Sequence, residues 1–174
     1  MSVLKEICNN KKLEIKSLKE KFSQSNLLEI SKYQEKPRGF KSALTSKVNN
    51  NQYALIAEVK KASPSRGIIK ENFNPKDIAT SYYKGGATCL SVLTEIKWFK
   101  GSIEYLIEIS KNISLPILRK DFMIDPWQIY ESRSIGSDCI LIILAAVDDS
   151  LAKELIIQSK DLGMDVLIET HTEK

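Results

Sequence analysis

GATCLSVL (86–93), GSDCILIIL (136–144) and GMDVLIE (163–169) repeat one phrase three times: a glycine, one residue, a polar residue, then a short apolar run. Each run is too brief for a helix and rich in β-branched or leucine side chains, so it reads as a strand. YALIAEV (53–59) and LPILR (115–119) read the same way, which makes five strands. The stretches between them, PKDIATSYYKGG, GSIEYLIEISKN, DPWQIYESRSIG and DDSLAKELIIQSKDLG, predict helices starting at Pro75, Ser102, Asp125 and Asp148 or Asp149. Gly86, Gly136 and Gly163 then suit the left-handed residue that closes a helix before the next strand. Alternating β and α units whose strands are apolar on both faces require a parallel sheet covered by helices.

Two architectures meet that requirement, an open doubly wound sheet and a (β/α) barrel. A dinucleotide-binding sheet places G-x-G-x-x-G after its first strand, whereas this chain has KKASPSRG there. The barrel is favoured by polar residues at several strand ends: Glu58 and Lys60, Thr94 and Glu95, Lys120, and Glu169. Barrel enzymes gather their chemistry at that rim.

Side chains alternate along a strand, so Ile56, Glu58 and Lys60 share one face while Leu55, Ala57 and Val59 share the other. Lys120 falls with Leu118 and Glu169 with Leu167. Two lysines and two carboxylates converging on one rim suit proton transfer on an anionic substrate; a lysine there could also form a Schiff base. The plain alternative is that Glu58 and Lys60 form a structural ion pair. Trp98, Phe99, Phe122 and Trp127 follow strand ends and either pack or line a planar ligand. His171, the single histidine, reads as a solvated loop residue, and Ser63 to Ser65 as a turn able to contact phosphate.

The bulk composition excludes several classes. The chain has 174 residues, 43% hydrophobic and 28% charged, the balance of one globular domain. No apolar run reaches the roughly 20 residues of a membrane span, and MSVLKEICNN lacks the apolar core of a secretion signal, so a cytoplasmic location is expected. Cys8, Cys89 and Cys139 show no C-x-x-C spacing; reduced thiols are expected, with no metal site. The net charge of +4 arises in residues 1–50, where 11 Lys/Arg oppose 5 Glu. There Lys5, Lys12, Lys16 and Lys19 recur at helical spacing opposite Leu4, Ile7, Leu13, Ile15 and Leu18, as the solvated face of an amphipathic helix does. Without interleaved aromatics, neither a nucleic-acid nor a membrane partner is expected.

AEVKKASPSRG (57–67), LSVLTEIKWFKGS (90–102), LPILRKDFMIDPWQIYESRSIGSD (115–138) and VLIET (166–170), with KPRGFKSAL (36–44) before them, closely resemble indole-3-glycerol phosphate synthase. The resemblance implies an α/β fold of the (β/α)8 TIM-barrel family with an N-terminal helical extension, divided here at residues 1–48 and 49–174. It implies closure of the indole ring of 1-(2-carboxyphenylamino)-1-deoxyribulose 5-phosphate, with loss of carbon dioxide and water, in tryptophan biosynthesis. No cofactor and no metal are implied; the partner is that small phosphorylated anion. By motif, Lys120 resembles the general acid of ring closure and Glu169 the group acting in dehydration. Glu58 and Lys60 resemble the pair that orients the site, with Lys60 also contacting substrate. Phe99 and Phe122 resemble the aromatics embracing the anthranilate ring, and Ser63 the flanking loop. Five strand ends precede Lys174 where the family has eight, so the chain is expected to be a truncated barrel, inactive alone and open to self-association through its sheet edges. Two other readings stand beside this one: a non-catalytic remnant that assembles through those edges, and another phosphate-binding barrel enzyme such as phosphoribosylanthranilate isomerase.

Overall fold

The computed structural model describes residues 2–170. Three helices come first: α1 (Val3–Lys21), α2 (Gln24–Lys32) and α3 (Phe40–Asn49). The strands β1 (Ile56–Val59), β4 (Cys89–Leu93), β5 (Ile117–Lys120), β6 (Cys139–Ile143) and β7 (Asp165–Glu169) follow, separated by α4 (Pro75–Lys84), α5 (Ile103–Asn112), α6 (Trp127–Ser134) and α7 (Asp149–Asp161). Helix starts obey local capping chemistry. Asn74, Ser102 and Asp148 each accept a backbone N–H from the first turn of α4, α5 and α7. Gly86, Gly136 and Gly163 all have φ between +76° and +89°, the conformation that the repeated phrase demands and that a Cβ resists.

Local differences from the sequence reading have local causes. The first strand pairs from Ile56 rather than Tyr53, whose side chain is fully exposed, because β1 finds a partner in β4 from Ile56↔Cys89 onward. Helix α6 begins at Trp127 instead of Asp125; the Asp125 carboxylate accepts the Trp127 N–H at 2.9 Å from outside the helix. KKASPSRG is not a plain loop. It contains a small antiparallel pair, β2 (Ala62–Ser63) with β3 (Gly67–Ile68). On α1, Leu13 points to solvent and Lys11 is buried, the reverse of what amphipathic spacing indicated for Leu13.

The five main strands form one parallel sheet in the order β1-β4-β5-β6-β7, so every strand's C-terminal end lies at the same edge of the layer. Alternation then sorts the core. Ala57, Val59, Leu90, Val92 and Ile117 face α4 and α5, and Ile140 and Ile142 face α6 and α7. Cys89, Leu118, Cys139, Leu141 and Ile143 face the opposite way, against Phe40 of α3. The crossover helices therefore cover one face alone, as in a barrel, and the other face is the barrel interior. Fully burying each of the large aliphatic side chains contributes about 1.5–3 kcal/mol. The sheet is open among the described residues, with β1 and β7 as its edges. Burial pushes the Cys89 thiol up to about 12 and Cys139 higher still, so both are inert core thiols. No helix among the described residues is long and apolar enough to cross a membrane.

Candidate active site

A cleft of about 380 Å³ lies at the C-terminal edge of the sheet, and its lining combines Glu58, Lys60, Lys120 and Glu169 with Phe99 and Phe122. Leu4 and Ile7 of α1 form its outer wall, with Leu93 and Ile143 behind. Larger hollows exist elsewhere. One of about 760 Å³ runs beneath the segment before α3, but its Arg38 and Arg133 are committed to Asp138 and to backbone carbonyls. At the rim, by contrast, charged groups remain accessible and opposed.

The strand parity read from the sequence brings these charges together. Glu58 divides its carboxylate. Oε1 lies 2.6 Å from Lys60 Nζ, while Oε2 accepts the Ser91 hydroxyl at 3.3 Å and lies 4.0 Å from Lys120 Nζ. Lys120 also lies 3.6 Å from Glu169 Oε2. All four side chains are about one-third exposed, between 29% and 34%. Ion pairs this open contribute little to stability, about 0–1 kcal/mol each, so the constellation is cheap to rearrange around an incoming anion. Two cations and two carboxylates balance in the cleft, so an entering anion would have to displace carboxylate from lysine rather than meet a bare positive field.

The rings of Phe99 and Phe122 stand 6.3 Å apart, tilted by 42°, across the mouth from these charges. The two rings and the two lysines line one cleft, an arrangement able to receive a flat aromatic group that bears charged substituents. Trp127 is buried packing, its indole N–H donating to the Phe22 carbonyl, and Trp98 lies under the Lys97 ammonium away from the cleft. Ser63 lies in the β2–β3 hairpin and does not line the cleft. His171 falls outside the described residues.

Thr94 and Glu95 differ from the rim residues that the sequence suggested. Both are buried and act as scaffolding. The Glu95 carboxylate accepts the N–H groups of Lys97, Trp98 and Phe99, which fixes the loop carrying Phe99. Gly101 closes that loop so tightly that a Cβ would meet the Leu93 carbonyl oxygen at 2.4 Å.

Immediately behind Lys120 lies a buried ionic cluster that sequence reading missed. Arg119, 2% exposed, binds Glu131 at 2.8 Å, Thr94 at 3.1 Å, Ser132 at 3.1 Å and Asp121 at 3.4 Å. Asp121 accepts the Thr94 hydroxyl at 2.6 Å, the Phe122 N–H at 2.8 Å and the ammonium of Lys11 at 3.0 Å. Lys11 also binds Glu14. Burial opposes each of these charges, yet in Asp121 the attractions of Lys11 and Arg119 outweigh it and hold the carboxyl below its usual range. In Lys11 burial pulls downward, but Asp121 and Glu14 together keep the ammonium above its ordinary value. The signal was present as three consecutive charges, Arg119, Lys120 and Asp121, ending the apolar run LPIL, but sequence alone does not reveal which charges are held by buried partners.

Known proteins resemble this chain over nearly its whole length. The chain matches the family model described as indole-3-glycerol phosphate synthase over residues 4–174. It is 47% identical over 171 residues to the indole-3-glycerol phosphate synthase of Zymomonas mobilis subsp. pomaceae, an overlap covering 98% of this chain and 65% of that protein. It is 46% identical over 172 residues to that of Rhodospirillum rubrum, covering 99% of this chain and 65% of the relative. The chain thus spans 65% of the length of these curated relatives.

Proposed function

The chain belongs to the indole-3-glycerol phosphate synthase family, and from that premise we propose that its rim cleft performs the carboxy-lyase chemistry of ring closure on 1-(2-carboxyphenylamino)-1-deoxyribulose 5-phosphate. The aromatic carbon bearing the carboxylate attacks the keto carbon, and the keto oxygen takes a proton as the new carbon–carbon bond forms. Loss of carbon dioxide returns the electron pair to the ring; the hydroxyl, protonated by a general acid, then leaves as water while the neighbouring CH2 gives up a proton, which completes the indole. Lys120 supplies the first proton, because among the described residues it alone of the rim lysines stands between two carboxylates, Glu58 and Glu169. Glu169 handles the proton of dehydration. Lys60 holds the substrate carboxylate, Glu58 orients both lysines, Phe99 and Phe122 flank the anthranilate ring, and Ser63 belongs to the loop beside the substrate. No metal and no cofactor take part in this scheme.

The observation that carries this reading is the convergence of Lys120 on both glutamates in a cleft walled by two phenylalanines. Phosphate contacts belong, in this reading, to β/α units beyond the five described here. A polypeptide of residues 1–174 by itself is therefore expected to form no indole-glycerol product above background, and the same polypeptide mixed with the C-terminal third of the Rhodospirillum rubrum relative to recover turnover. In that assembly Lys120→Ala should leave substrate unreacted, whereas Glu169→Gln should release carbon dioxide and accumulate a species that has not lost water. Rapid-quench analysis in which both variants stop at the same compound contradicts the division of roles.

A second reading, assembly through open edges, draws on Leu167 and Ile168 of β7, which are 37% and 47% exposed. Light scattering of residues 1–174 decides it: oligomers are expected, and a stable monomer removes it.

A further inference from the structure

Lys120 is poorly held by its own partners. Among the described residues its nearest carboxylate oxygens are 3.6 and 4.0 Å away, beyond hydrogen-bonding distance, so its placement leans on the backbone beneath it. That backbone is splinted by the next residue. One oxygen of Asp121 accepts the Phe122 N–H and the other the Thr94 hydroxyl, which pins the turn leaving β5 between Phe122, which lines the cleft, and the buried end of β4 next to the cleft residue Leu93. Asp121 in turn is 2% exposed and depends on cations for its charge. Arg119 is 3.4 Å from one oxygen, and Lys11, from the first helix, is 3.0 Å from the other.

We propose that Lys11 is a positioning residue for Lys120 and Phe122, acting through Asp121. Lys11 is itself 2% exposed, with no role in wetting the helix surface, and its ammonium meets the same carboxylate oxygen that holds the Phe122 amide. One and two turns earlier on the same face of α1, Ile7 and Leu4 wall the cleft, so the contact that sets the turn also sets the wall. Without Lys11, Asp121 keeps a single, longer ion pair and either takes a proton or turns toward water, and the Phe122 amide loses its fixed acceptor. The Lys120 and Phe122 ends of the turn then drift apart from Glu169 and Phe99.

This inference rests on the reading of Lys120 as the reacting lysine, but its test does not need turnover. The acylation rate of the Lys120 amine, followed by peptide mass spectrometry on residues 1–174, reports how that side chain is held. Coupling between contacting residues leads us to expect Lys11→Met to raise the rate by about threefold or more in the native background and by less than about twofold beside Asp121→Asn. Lys11→Arg, which keeps a cation on Asp121, should restore the native rate. Ile15→Ala loosens the same helix without touching Asp121 and should leave the Lys120 rate unchanged. If Lys11→Met precipitates, Lys11→Gln takes its place in the same cycle. Equal enhancement with and without Asp121→Asn, or an enhancement by Ile15→Ala as large as that of Lys11→Met, overturns the proposal. Loss of the ring-closing assignment leaves these rates untouched, so the two failures are distinguishable.

Discussion

Arg119, Lys120 and Asp121 are consecutive at one strand end, yet they belong to two different regions. Arg119 and Asp121 lie on the inner side of the turn, 2% exposed and tied by close contacts to four or more groups. Lys120 points the other way into the cleft, 31% exposed, with partners at 3.6 and 4.0 Å. A residue committed to several short bonds cannot release them for a substrate, and one that rests loosely between two carboxylates can. The pleat alone separates a structural charge from an available one.

The sharpest way to break this contrast is to remove one residue from each side. Lys120→Ala in a complete enzyme should reduce ring closure by about 10²–10⁴-fold while urea denaturation moves by less than about 1 kcal/mol, the range of exposed ion pairs. Arg119→Met should do the reverse to stability. It strands Glu131 and Asp121 in the interior, a loss of about 3–5 kcal/mol, which is a large share of a domain's total. Comparable destabilisation by the two substitutions would erase the distinction.

Acid titration tests the buried side further. Asp121 is held below its ordinary value of 3.8, so its contribution is complete above 3.8 and is lost as pH falls through its lower folded value. Glu14 behaves oppositely. Burial raises it above 4.5, more than Lys11 lowers it, so the folded state gains stability as pH falls toward 4.5. Denaturation curves should therefore improve slightly from neutrality toward 4.5 on Glu14's account and worsen below 3.8 on Asp121's. Asp121→Asn should flatten the acid decline and also shrink the Glu14 rise, because the Asp121 charge is one of the causes that raises Glu14; a decline identical to the parent's would show that Asp121 is not its source.

The two regions were unequally legible in the sequence. Strand alternation placed Glu58, Lys60, Lys120 and Glu169 together because period two is a local rule, and the glycine phrase placed the β/α boundaries because Gly86, Gly136 and Gly163 need positive φ. Lys11 was hidden for a related reason. A lysine on an amphipathic helix is ordinarily solvated, and what makes it buried is Asp121, 110 residues away, which no local period contains. Glu95 escaped similarly: its three amide partners are formed by a loop whose path depends on the tight approach of Gly101 to β4.

The smallest effect separates the lysines of one helix. Lys11 and Lys19 both lie on α1, and both reach an aspartate in the segment after β5, Lys19 binding Asp125 at 2.7 Å. Their distances are nearly alike, but the Lys19 and Asp125 side chains are 43% and 28% exposed against 2% and 1% for Lys11 and Asp121. Water and salt screen the first pair and hardly reach the second, whose removal also leaves a buried charge behind. Lys19→Ala should thus cost about 0.2–1 kcal/mol at low ionic strength, an increment that vanishes toward 1 M salt, where the Debye length is about 3 Å. Lys11→Met should cost several times more, with little dependence on salt. Paired urea titrations at low and high ionic strength measure this directly. A Lys11→Met cost that fades with salt as fully as that of Lys19→Ala would mean that water enters the cluster behind β5, and that Asp121 is no more fixed than the carboxylates of the cleft.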